Sequence, residues 1–197
     1  MKRSSFIQSA ASLLLVLVAQ GGCESESAES VARAHVSAAR EGVAAALSIQ
    51  NESLTLYVCG SGSTLATHTR WFFSLPFEDK ESFEGQADGW TVAGDREGDS
   101  FRATLTDPAG ATTSLDFEAA SGAEGLYSFE NADGRTGLVA WDDADAPGGL
   151  GFQGAWSDGV DAFEQVIILA PDAFTSDGGD GAVDGRRDLG TLMLRPL

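Results

Sequence analysis

Hydrophobic positions along this chain recur with a period of two, in short runs separated by turn residues. Ser53-Leu54-Thr55-Leu56-Tyr57-Val58-Cys59 puts Leu54, Leu56 and Val58 on one face of an extended segment. Thr113, Leu115 and Phe117 alternate in the same way with Ser114, Asp116 and Glu118. Runs of strand character also cover 70–75 (with Trp71, Phe72 and Phe73), 89–93, 100–106, 126–130, 136–141, 150–156, 163–170 and 189–195. Residues 43–50 read as a further strand, and Asn51-Glu52 as the tight turn that leads into Ser53. Asp107-Pro108-Ala109-Gly110 and Ser157-Asp158-Gly159 supply turn chemistry between other runs. With no sustained helical period between them, about ten short strands predict an all-β fold. The expected form is an antiparallel meander closing into a β-barrel, because closure removes exposed strand edges; a β-sandwich is the alternative.

Two stretches fall outside that rhythm. Residues 23–40, rich in Ser, Ala, Glu and Arg, read as an acidic, Ala-rich tether before a single β domain over 41–197. Alanine gives Ala28 to Leu47 some helical propensity, but Gly42 interrupts it, so 28–40 is left unassigned. Residues 171–188 are rich in Gly and Asp and read as a long loop before the last strand.

The first 22 residues read as a targeting segment. Lys2 and Arg3 are followed by the apolar run Ala10 to Ala19, which is too short to span a bilayer as a helix. It ends at Gln20-Gly21-Gly22-Cys23, after which the chain turns acidic with Glu24 and Glu26. This resembles a bacterial lipoprotein signal, in which small residues precede a cysteine that is lipidated and becomes the new N-terminus; Gln20 departs from the usual apolar residue there. The resemblance implies lipidation (palmitate among the acyl groups) at Cys23, and an extracytoplasmic protein held to the membrane only through that lipid. The alternative is ordinary cleavage after Ala19 or Gly21, which also exports the chain.

Charge sharpens the partner question. The chain carries 12 Lys+Arg and 30 Asp+Glu; losing Lys2 and Arg3 leaves ten against 30, a net charge of −20. Nucleic acid and anionic membrane surfaces are thereby excluded as partners, since both require clustered cations. A basic protein remains compatible, and so does a small apolar ligand inside a barrel.

Leu56-Tyr57-Val58-Cys59-Gly60, Trp71-Phe72, the run Gly98 to Gly110, Phe117-Glu118-Ala119 and Gly125-Leu126-Tyr127 follow one another in an order that resembles a group of exported bacterial proteins and lipoproteins built from successive β-hairpins. The resemblance spans about residues 43–155. It implies an all-β fold and an extracytoplasmic address, and carries no activity. Tyr57-Val58-Cys59, and Ser121-Gly122-Ala123 followed by Tyr127-Ser128, also resemble parts of the lipoprotein inhibitors of lysozyme, which are small eight-stranded barrels. Against that pattern, no second cysteine lies near the C-terminus to pair with Cys59, and the basic residue expected downstream is absent.

Candidate chemistry is sparse. Gly149-Leu150-Gly151-Phe152-Gln153-Gly154 matches G-x-G-x-x-G, but the motif works only between a strand and a helix N-terminus. Phe152 and Trp156 continue a strand here, so the glycines point to a bend or close packing, and no cofactor is expected. Cys59 and His68 are weighed as a nucleophile and base; a lone strand cysteine reads more simply as a small buried hydrophobe. His35 reads as a solvated tether side chain. Asp142, Asp143 and Asp145, and Asp177, Asp180 and Asp184, could offer oxygens to Ca²⁺, but neither register fits an EF-hand loop, so no metal site is expected. Trp71, Trp90, Trp141 and Trp156 either fill a core or line a barrel mouth. No catalytic set assembles. The expectation is a lipid-anchored, extracytoplasmic β-barrel with a non-catalytic binding or envelope role. The alternatives are an inhibitor of a basic exported enzyme such as lysozyme, and a hydrolase of unrecognised type.

Overall fold

A computed structural model describes residues 33–168, apart from 51, 78, 133 and 161, and three short segments at 182–183, 186–188 and 194–196. Cys23 and the rest of 1–32 lie outside the described residues, as do the aspartates at 177, 180 and 184.

The first eight strands form one antiparallel meander: β1 (Arg33–Arg40), β2 (Val43–Gln50), β3 (Ser53–Gly60), β4 (Arg70–Pro76), β5 (Ser82–Ala87), β6 (Trp90–Glu97), β7 (Ser100–Thr106) and β8 (Thr112–Ala119). β1 also pairs with β8, so the sheet runs β4-β3-β2-β1-β8-β7-β6-β5 and curls until β4 and β5 lie side by side. The result is a barrel closed except at the β4–β5 seam. Tight turns set its register. Glu41-Gly42 (φ 51° and 79°) and Asp88-Gly89 (φ 51° and 78°) hold both central residues left-handed, which matches the twist of the flanking strands. Gln50 pairs with Ser53, the register that a two-residue connection between β2 and β3 requires.

A second sheet packs on the outside of β1–β3. Its four long strands are β9 (Gly125–Asn131), β10 (Gly134–Asp142), β11 (Leu150–Ser157) and β12 (Phe163–Ile168). The short strands β13 (Ala182–Val183), β14 (Arg186–Asp188) and β15 (Leu194–Pro196) flank them.

Alternation explains both layers. Leu47, Leu56, Phe72, Val92, Phe101 and Phe117 point into the barrel with the other inward positions. On the same β2 and β3, Ala44, Ala46, Tyr57 and Cys59 point the other way, against Leu126, Val139 and Ala155 of the second sheet. Strands buried on both faces lose the clean hydrophobic–polar alternation, which is why 43–47 reads Val-Ala-Ala-Ala-Leu.

Several expectations change. Strand β1 lies within the stretch assigned to the tether: Arg33–Arg40 has an Ala-rich, helix-like composition, but pairing on both sides, to β2 and β8, makes it a strand. Tertiary context overrides propensity there. The expected single barrel of about ten strands is an eight-stranded one plus a separate sheet. β5 is an additional strand, hidden in the sequence because Ser82-Phe83-Glu84-Gly85-Gln86-Ala87 carries few apolar residues. β13 and β14 both fall inside the expected 171–188 loop, the rest of which lies outside the described residues.

Two bulges interrupt the barrel. In β1, Ser37 pairs with Ala45 and Arg40 with Val43, so Ala38 and Ala39 together oppose Ala44. In β4, Leu75 pairs with Leu54 and Phe72 with Leu56, so Phe73 and Ser74 together oppose Thr55, with Ser74 at φ 53°. An extra residue bends the strand that holds it and disrupts pairing locally. Each bulge sits on a strand that borders a gap in the barrel wall: β4 at the unpaired seam, and β1 beside β8, where pairing stops after His35–Ala119 and Val36–Glu118.

Candidate functional site

Cys59, the candidate nucleophile, is fully buried between the two sheets. Its Sγ donates to Gly60 O at 3.3 Å. Burial pushes the thiol up to about 11, and the nearby Tyr57, Thr69 and Gln153 only partly offset this. A thiol protonated throughout the neutral range and shut off from solvent has neither thiolate nor access. His68 does not join it. It ends the one-turn helix α1 (Leu65–His68), with its ring edge-on to Trp90 at 5.0 Å and its Nδ1 sharing a hydrogen bond with Thr67 Oγ1 (3.0 Å). Burial, then the nearby Arg70, lowers its pKa. The two groups thus lie in different places, Cys59 between the sheets and His68 beside Trp90 at the barrel end, and Cys59 behaves as a small core residue.

Arg70 is the unexpected side chain. It opens β4 facing inward and is buried at one end of the barrel. Its guanidinium lies 4.0 Å over Trp90 and donates to the carbonyls of His68 (3.2 Å) and Thr67. Burial brings its pKa down to about 10. Arg70 therefore ties α1 and Trp90 across the barrel end by charge-assisted and cation–π contacts. A charged residue at the head of an aromatic strand is the only sequence signal for it.

His35 is not solvated, contrary to expectation. Strand β1 buries it, with Nε2 2.9 Å from Asp99 O and the ring edge-on to Phe101 at 4.8 Å. Gln153, the other residue not anticipated, reaches from β11 into the barrel wall and donates to Cys59 O and to Gly42 O (3.1 Å). It is a polar clamp between the sheets.

The G-x-G-x-x-G run lies along β11 rather than at a strand-to-helix junction. Two of its glycines, Gly151 and Gly154, make room. A Cβ at Gly151 would strike the Trp141 ring, and one at Gly154 would fall 2.7 Å from Gly137 O, Leu138 Cδ1 and Val166 Cγ2. The four tryptophans divide between layers: Trp90 is in the barrel interior, Trp71 and Trp141 flank the inter-sheet layer, and Trp156 packs on the far side of the second sheet. Asp143, from the first acidic cluster, is used locally: its carboxylate accepts the Asp145 amide at 3.0 Å.

What the molecule presents outward is charge. On β6–β8 the register stacks Asp95, Arg102 and Asp116 in one row, and Glu97, Ser100 and Glu118 in the next. Arg102 bridges Glu97 (2.8 Å) and Asp116 (3.2 Å), Arg40 reaches Asp116 at 3.3 Å, and Ser100 Oγ donates to Glu118 at 2.9 Å. A groove of about 540 Å³ lies beside this wall, lined by Pro76, Asp79, Ser82, Glu84, Ala93 and Asp95 among others. Hydrogen bonds from Glu81 N and Ser82 hold the Asp79 carboxyl below its ordinary pKa, so it stays ionised. A smaller cleft of about 230 Å³ opens where β1 parts from β8.

Compared with protein-family models, curated proteins and solved structures, the chain matches none.

Proposed function

We propose that this is a non-catalytic binding protein of the cell envelope, exported and held to the membrane by a lipid on Cys23, which engages its partner through the acidic outer wall of the barrel. The observation that carries this reading is the separation of reactive groups from exposed ones. Cys59 is sealed between sheets with its thiol pushed up to about 11, whereas Glu84, Asp95, Glu97, Asp116 and Glu118 face outward, with Arg102 and Arg40 paired among them. Aromatic and aliphatic side chains fill the barrel interior, which supports placing the partner on the outer wall. The resemblance to hairpin-built exported lipoproteins supports the address.

Metabolic fatty-acid labelling tests the anchor. Label should be lost in Cys23→Ser; label retained in that variant refutes lipidation at this position. The same wall favours a second reading, inhibition of a basic exported enzyme, since complementary charge speeds and orients association. Binding to a basic enzyme such as lysozyme at low salt, lost at high salt, would support it; no binding at low salt would eliminate it.

A further inference from the structure

We propose that the β1–β8 joint is the place where the barrel opens, and that the ion-pair chain Arg40–Asp116–Arg102–Glu97 holds it shut in place of backbone pairing. Among the described residues, β1 and β8 form only two residue pairs, His35–Ala119 and Val36–Glu118. Continued in register, the ladder would next join Ser37–Arg40 to Ser114–Phe117. The bulge at Ala38 and Ala39 diverts β1 at this point. In place of further pairs there is the 230 Å³ cleft, lined by Ser37, Arg40 and Glu41 on one side and Thr112–Leu115 on the other. Val43 and Leu115, which line it too, belong to the barrel interior, so widening this cleft would bring solvent to the core.

Only side chains span the outside of the cleft. Arg40 Nη1 reaches Asp116 Oδ2 at 3.3 Å, and the other oxygen of Asp116 accepts from Arg102 Nε at 3.2 Å. Arg102 is itself anchored to Glu97 at 2.8 Å. Asp116 is thus fixed by its own sheet before it meets Arg40, so the latch arm on the β8 side is preorganised. The β4–β5 seam is a poorer opening. Leu75 packs over Gly85 there, and Pro76 removes a donor from that edge.

Hydrogen exchange on the intact protein tests the proposal. Asp116→Asn should speed exchange of the Thr112–Phe117 amides about two- to fivefold, the range that exposed ion pairs support. The Leu126–Phe129 amides and the denaturation midpoint should stay put. Raising salt to 1 M should do the same to the native protein, where screening falls to about 3 Å. Glu84→Gln removes one charge from the wall without touching the chain of pairs and should leave 112–117 unchanged. The proposal is overturned if 112–117 exchange is indifferent to both Asp116→Asn and salt, or if Glu84→Gln accelerates it equally. If Asp116→Asn loosens the whole protein, the salt series on the native chain decides: acceleration confined to 112–117 upholds the latch, and uniform acceleration rejects it.

Discussion

Gly137→Ala is the sharpest test of how the two sheets meet. Gly137 lies in the middle of β10, directly under the aromatic pair on the barrel wall. A Cβ there would fall 2.7 Å from both Tyr57 Cε1 and Trp71 Cζ2, and closer still to Tyr57 Cζ. Tyr57 has nowhere to go. It is fully buried, its ring lies 4.4 Å from that of Trp71, and its hydroxyl donates to Gly137 O at 3.2 Å. Extended backbone accepts alanine, and the substitution by itself would stabilise a strand by about 0.5–1 kcal/mol. Against that stand overpacking of about 1–3 kcal/mol and loss or stretching of the tyrosine hydrogen bond, about 1 kcal/mol. The net expectation is a loss of about 1–3 kcal/mol. Urea unfolding followed by tryptophan fluorescence reads it directly, since Trp71 is part of the contact. Tyr57→Phe separates the contributions: alone it should cost about 1 kcal/mol, and combined with Gly137→Ala it should cost less than the sum. A Gly137→Ala protein as stable as the native one, with unfolding still cooperative, would show that the sheets are not in contact at this point.

Gln153→Leu should destabilise by about 1–3 kcal/mol, because it leaves the buried Cys59 carbonyl without that donor; an unchanged urea midpoint would remove the clamp from the account. Alkaline stability follows from Cys59. Its folded thiol holds its proton to about 11 against an ordinary 9.0, so the stability it contributes is complete below about pH 9 and is lost as pH rises through 11. Up to about 2–3 kcal/mol is at stake, and Tyr57, also raised by burial, acts in the same direction. Urea midpoints between pH 8 and 11 should fall, less steeply in Cys59→Ala; equal slopes would show that the thiol does not contribute.

Where a strand has one wet face, its sequence announces it. On β8, Leu115 and Phe117 point inward as their spacing requires, while Ser114, Asp116 and Glu118 face outward. Legibility fails where both faces are covered or where few side chains pack. Strand β1 is alanine, serine, arginine and one histidine, with Val36 alone as a large aliphatic; nothing local distinguishes it from a helix or a tether. The burial of His35 is hidden for the same reason, since it follows from the strand around it. β5 went unread although Asp88-Gly89 after it is a strong hairpin turn, and that dipeptide was the usable clue. The division into two sheets was not legible at all, because a meander strand carries no mark of which sheet it joins. Gln153 and Arg70 illustrate the limit for sites: each acquires its role from carbonyls presented by distant segments.

That division has a consequence for the barrel itself. A closed meander with a polar exterior would fold alone, but the outer faces of β1–β3 are apolar. Val36, Ala44, Ala46, Tyr57 and Cys59 are buried only because β9–β11 cover them. At about 1.5–3 kcal/mol for each large side chain, and less for the alanines, their exposure would forfeit on the order of 5–8 kcal/mol. This is comparable to the whole stability of an ordinary domain, about 5–15 kcal/mol. It would also leave an apolar strip across three neighbouring strands, of the kind that drives association. A chain ending after Ala120 should therefore keep β-type far-ultraviolet circular dichroism but lose near-ultraviolet signal, bind a hydrophobic dye and associate. Monomeric, cooperatively unfolding protein from that truncation would mean that the barrel is independent and the second sheet an appendage. The reverse outcome makes the second sheet the part that completes the core, and leaves the acidic β5–β8 wall, the side away from it, as the surface free to meet a partner.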